Sequence, residues 1–151
     1  MKKFKFKLHG ILRIKESMEK EVRNELIGIQ NMCAEQEKKI AETKEKVSDW
    51  SHYYNAVMTK GGNAAQLANI DFHIQGLYRY RDQLEISLAV YNRKKEDVIL
   101  QYNEIKREVK VLEHLYDKRK EEYLIEFNKM EDKLNDEMAT LRHARQMGLG
   151  L

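Results

Sequence analysis

Five histidines, His9, His52, His73, His114 and His143, and one cysteine, Cys33, are the side chains best suited to metal binding or nucleophilic catalysis. No two histidines stand four residues apart, and none clusters with Cys, Asp or Glu at the spacing of a tetrahedral zinc site. They read as isolated surface histidines. No glycine-rich phosphate loop and no nucleophile elbow occurs. Carboxylates are plentiful, but acid or base chemistry needs a cavity that excludes water and shifts their pKa values, and two paired helices offer none. The chain is expected not to be an enzyme and to use no cofactor or metal.

The remaining chemistry is that of binding. Trp50, Tyr53, Tyr54, Phe72, Tyr78 and Tyr80 crowd into two short stretches on either side of Gly61-Gly62. Singly, such rings only flank and widen a helix seam; together they predict an interaction patch, since clustered tyrosine and tryptophan make interface hot spots. Gly76 among them is a weak choice inside a helix unless another backbone approaches or the helix bends. Charge is also ordered. Lys2, Lys3, Lys5, Lys7, Arg13 and Lys15 occur with no acid among them, whereas Glu121, Glu122, Glu126, Glu131, Asp132, Asp136 and Glu137 dominate a late stretch. These are expected to complement each other across the open end of a hairpin. The net charge of +3, from 28 basic and 25 acidic residues, argues against a nucleic-acid binder.

The elements that position these groups follow from periodicity. Alternating steps of four and three residues pass through Ile70, Ile74, Leu77, Arg81, Leu84, Leu88, Tyr91, Lys95, Val98, Tyr102, Ile105, Val109, Leu112, Tyr116, Arg119 and Tyr123. Only Arg81, Lys95 and Arg119 interrupt the apolar seam. A repeat of 3.5 residues held this long requires a supercoiled partner helix. The chain has no proline and 35% charged residues, a composition built for long helices. A first helix is predicted over about 3–60, with a stripe through Leu8, Ile11, Met18, Val22, Ile29, Met32, Ile40, Val47, Trp50, Tyr54 and Val57 and a stutter after Gln36. Gly61-Gly62 ends it, and Asn63 with Gln66 forms a capping-box pattern for the next helix, the alternative being a short helix over Ala64 to Ala68 with a fresh start near Asn69.

The expected fold is therefore all-α: an antiparallel coiled-coil hairpin occupying the whole chain. The turn falls over about 61–66, helix 2 runs over about 66–145, and 146–151 is a disordered tail. Folding about Gly62 sets Ile29 near Val98 and Trp50 near Leu77. Helix 2 outlasts its partner, leaving the stripe at Met130, Leu134 and Leu141 to face an external one. No run nears the roughly 20 apolar residues that cross a bilayer, and the opening residues are not a signal peptide. A cytoplasmic protein is expected.

Several stretches resemble the flagellar export protein FliJ family. They are Lys3-Phe4-Lys5-Phe6-Lys7-Leu8 followed by Ile11-Leu12, Glu21-Val22-Arg23-Asn24-Glu25-Leu26, Leu112 through Tyr123, and Asp136-Glu137-Met138-Ala139 with Arg142 and Arg145 beyond. The resemblance implies a part of the flagellar type III export apparatus, serving flagellum biogenesis and motility, with a fold similar to the stalk subunit of rotary ATP synthases. It implies as partners the hexameric export ATPase and its regulator, the cytoplasmic domain of the membrane export gate, and export chaperones. By the stalk analogy, Phe4, Phe6, Leu8, Leu141, Arg142 and Arg145 would meet the ATPase ring. The gate surface would take Trp50, Tyr54 and Leu77, with Val47, His73 and Tyr80 beside them as poorer matches in residue type. The location implied is the cytoplasm, at the inner face of the membrane through the export apparatus.

A generic coiled-coil chaperone or scaffold of prefoldin type is the alternative, and a helical nucleic-acid binder a third. The chaperone would grip varied clients with the turn-side rings and ignore an ATPase ring. The nucleic-acid binder would show steep salt dependence.

Overall fold

The computed structural model describes residues 2–149. Two helices, α1 (His9–Thr59, 51 residues) and α2 (Ala64–Leu149, 86 residues), pack against each other as an antiparallel hairpin. No strand occurs among the described residues.

Residues 60–63 connect the helices, a shorter turn than the one expected over 61–66. Gly61 adopts φ +78°, the left-handed conformation that glycine enters without a Cβ clash. The Gly62 N–H then donates to the Val57 carbonyl at 2.9 Å and the Gly61 N–H to the Met58 carbonyl at 3.2 Å. This is the Schellman arrangement, which satisfies carbonyls the helix end leaves open. A Cβ on Gly62 would fall 2.3 Å from Val57 Cγ1, so glycine is required there for space as well. α2 opens with the capping box its sequence predicts. The Gln66 N–H donates to Asn63 Oδ1 at 2.8 Å, and the Asn63 N–H donates to Gln66 Oε1 at 3.3 Å.

Three boundaries differ from expectation. Helix 1 starts at His9 rather than near residue 3, because the Lys-Phe-Lys-Phe-Lys-Leu run alternates with period two. In a non-helical strap that alternation buries Phe6 while leaving Lys5 and Lys7 exposed. A helix would have scattered the same side chains around its circumference. α2 starts two residues early and carries on past 145, so residues 146–149, assigned to a disordered tail, are helical. The rest of that tail, 150–151, lies outside the described residues.

The α2 seam follows the predicted repeat, each position buried or half-buried from Ile70 to Tyr116, with Arg119 exposed. On α1 the stripe shifts. Ile11, Met18 and Met32 are exposed, and the covered positions are Leu12, Lys15, Glu19, Val22, Leu26, Ile29, Cys33, Gln36, Ile40, Thr43, Val47, Trp50, Tyr54 and Val57. These form an unbroken four-three repeat, so the expected stutter vanishes. Polar side chains in the seam hid the true register.

Contacts gather into two units. In the unit of Lys20–Asn103, Ile29, Cys33 and Val98 form the core, flanked by Val22, Leu26, Leu88 and Tyr91. The Cys33 thiol donates weakly to Asn92 Oδ1 at 3.5 Å, and the buried Thr43 hydroxyl turns back to the Lys39 carbonyl at 2.7 Å. Arg81 in the seam is held locally, its guanidinium 4.9 Å from the Tyr78 ring centre and 3.2 Å from Asp82 Oδ1. In the unit of Met1–Glu19 and Glu104–Leu151, Phe6, Leu12 and Val109 form the core. Phe4, Leu8, Ile105, Leu112, Leu115 and Tyr116 pack around them.

Candidate binding surfaces

The strap of residues 2–8 takes its position from aromatic packing. The Phe6 ring meets Tyr116 edge-on at 5.3 Å, while Phe4 lies 5.6 Å from Tyr116 and 5.4 Å from Tyr123. The Tyr123 hydroxyl donates to the Lys2 carbonyl at 2.8 Å, and Tyr123 stacks on Phe127 at 6.2 Å. Edge and offset ring contacts of this kind add to the area they bury. The strap thus covers the α2 seam where α1 has not yet begun. Sequence reasoning placed Tyr116 and Tyr123 on the seam and missed their role as the strap's floor; the Lys-Phe alternation was the signal for it.

Of the six residues expected at the open end, Phe6 is buried at 9% exposure and Phe4 and Leu8 are half-buried. Leu141, Arg142 and Arg145 are exposed on α2, as is every residue from 131 to 148. Phe4 reaches Tyr123, which precedes Leu141 by 18 residues, or roughly 27 Å of helix. The two groups are therefore brought to the same unit but not into one cluster. Among the described residues, Lys15 of the basic stretch pairs with Glu108 at 2.6 Å, before the acidic stretch begins.

At the turn side, Val47, Trp50, Tyr54 and Leu77 are half-buried along the seam, and His73 and Tyr80 are exposed. Trp50 packs on His73 with ring centres 4.4 Å apart, one helical turn before Leu77, the neighbour expected for it. Tyr53 meets Trp50 edge-on at 5.8 Å, and Asp49, Trp50 and Tyr53 line a shallow hollow. Tyr80 makes no ring contact among the described residues. Gly76 has nothing within 4 Å of where a Cβ would stand, so no backbone closes on it. Phe72 is widely exposed beneath the Arg79 guanidinium at 6.0 Å.

Among the described residues, no group of three or more His, Cys, Asp or Glu side chains could hold a metal ion. No described helix is long and apolar enough to cross a membrane. What the surface offers is rings held by a rigid seam at one place, and an uncovered helix carrying apolar residues at another.

The family model described as "Flagellar FliJ protein" matches residues 4–148, nearly the whole chain. Neither the curated proteins nor the solved structures give a match.

Proposed function

Since this chain belongs to the flagellar FliJ protein family, and so to flagellar protein export, we propose that it is a non-enzymatic adaptor that engages the export ATPase and links it to the export gate. The observation that carries this reading is the helical stretch at 131–148, exposed throughout and bearing Leu134, Met138 and Leu141. A helix that keeps apolar side chains in water over this length is suited to a partner outside the chain. Arg142 and Arg145 beside Leu141 supply cations for acidic groups on the ATPase and its regulator, and Phe4, Phe6 and Leu8 stiffen the base from which the helix extends. The half-covered rings of Trp50 and Tyr54, with Val47, His73, Leu77 and Tyr80 around them, form the gate-binding surface. Release and return of export chaperones is part of the same adaptor role, exercised in the cytoplasm at the inner face of the membrane.

The test is a pull-down with purified export ATPase and, separately, with the cytoplasmic domain of the export gate, together with ATP turnover. Binding of both and faster turnover are the expected results. Failure to bind either, with capture of unrelated unfolded clients, would replace this reading by the chaperone one.

A further inference from the structure

The first eighteen residues combine two features that the adaptor role does not use. Lys2, Lys3, Lys5, Lys7, Arg13 and Lys15 precede the first acid, Glu16. The strap fixes its lysines outward, because Phe4, Phe6 and Leu8 take the side facing Tyr116 and its neighbours. Lys2, Lys3, Lys5 and Lys7 form no ion pair among the described residues, whereas Lys15 is held by Glu108. Glu16, Glu113 and Asp117 border the hollow beside Lys5 and offset part of its field, while Lys2, Lys3 and Lys7 are exposed outside it. Next to the strap, the opening turns of α1 expose Ile11 at 48%, Ile14 at 61% and Met18 at 39%. Their spacing of three and four residues puts them on one helix face, and the hairpin seam runs along a different face through Leu12 and Lys15.

A lysine-rich segment beside an exposed aliphatic helix face, with six cations to the single acid Glu16, is the composition of a surface that settles on an anionic bilayer at headgroup depth. We propose that residues 2–18 form a lipid-facing surface for anionic phospholipid. Lys2, Lys3, Lys5 and Lys7 meet the headgroups, and Ile11, Ile14 and Met18 enter the boundary with the acyl chains. The contact is peripheral and needs no spanning helix. It is independent of the adaptor reading, since neither the lysines nor this aliphatic face is assigned to the ATPase or the gate.

Purified full-length protein is sedimented with phosphatidylcholine vesicles, with and without phosphatidylglycerol. Binding is expected only with phosphatidylglycerol and should fall as salt rises. The quadruple change of Lys2, Lys3, Lys5 and Lys7 to Gln should lower partitioning about 100-fold or more, since each cation near such a surface contributes roughly five-fold. Ile14→Asn, which leaves charge unchanged, should lower it by a smaller factor. Both changes are at exposed positions, and unchanged far-ultraviolet dichroism verifies the fold. Equal binding to both vesicle types, no binding, or undiminished binding by the quadruple variant would overturn the proposal. If that variant instead loses ATPase binding while the parent ignores vesicles, the strip is a protein-docking surface.

Discussion

At the scale of single residues, neighbours on α1 have opposite fates that hydropathy does not foretell. Met32 carries the larger apolar side chain and stands exposed at 45%, while Cys33 is buried at 4% against Ile29 and Val98. Cys33→Asp would put a charge in that core beside Asn92, and a loss of about 3 kcal/mol or more is expected. Met32→Asp should change stability by no more than about 0.5 kcal/mol. Urea unfolding followed by far-ultraviolet dichroism checks both, and reversed ranks would restore the stripe through Met32. The same scale holds the turn-side rings. Trp50 and Tyr54 lie four residues apart and half-buried, too large for one facing helix to cover. Replacing both by Ala should weaken binding to the gate domain by about 2 kcal/mol or more in titration calorimetry, with ATPase binding kept. Loss of both partners together would mean that the rings hold the fold.

At the scale of elements, the stop at the glycine pair and the capping box of α2 were legible, while the span of the connection was not, since it covers 60–63 rather than 61–66. Glycine pairs, Asn63 and Gln66 act through local geometry, which sequence spacing specifies directly. The α2 seam was legible for a similar reason, since its apolar residues recur through Tyr116 with few interruptions. The α1 seam was not. Lys15, Glu19, Gln36 and Thr43 occupy it, and a search for apolar residues steps around them to exposed methionines and isoleucines. Long polar side chains can cover a seam with their aliphatic stems, which residue type does not announce. The strap was missed because a helical pattern was carried into a period-two run, and His73 was placed in the turn-side patch only as a poorer match, although its ring is the one from α2 that packs on Trp50. Gly62 offers the sharpest test at this scale. Gly62→Ala should destabilise the hairpin by about 1–3 kcal/mol, because the new Cβ meets Val57 Cγ1. Adding Val57→Ala removes that obstacle, and a double-mutant cycle in thermal unfolding should recover part of the loss. Additive losses would indicate that the Val57 carbonyl, 3.0 Å from the same point, rather than the Val57 side chain, sets the requirement.

At the scale of the whole molecule, the two helices are unequal by design of the sequence: α2 has 86 residues and α1 has 51. The buried and half-buried positions of α2 end at Phe127, and residues 128–148 are all exposed. Removing residues 136–151 therefore takes away no residue of either core cluster and leaves the capping box and the Schellman turn untouched. The shortened protein should keep the ellipticity per residue of its remaining helices and unfold at a midpoint within a few degrees of the parent. If the exposed stretch is where the export ATPase is engaged, the same truncation abolishes the acceleration of ATP turnover and leaves gate-domain binding intact. A less drastic variant, Leu134→Asp with Leu141→Asp, charges the apolar face without shortening the helix and should lower stimulation at least about ten-fold, the effect of losing roughly 1.4 kcal/mol. Turnover measured against adaptor concentration separates weaker binding, which a higher concentration restores, from a failure to stimulate once bound. Full stimulation by the truncated chain would move the ATPase contact away from this helix and leave its exposed leucines without the role proposed for them.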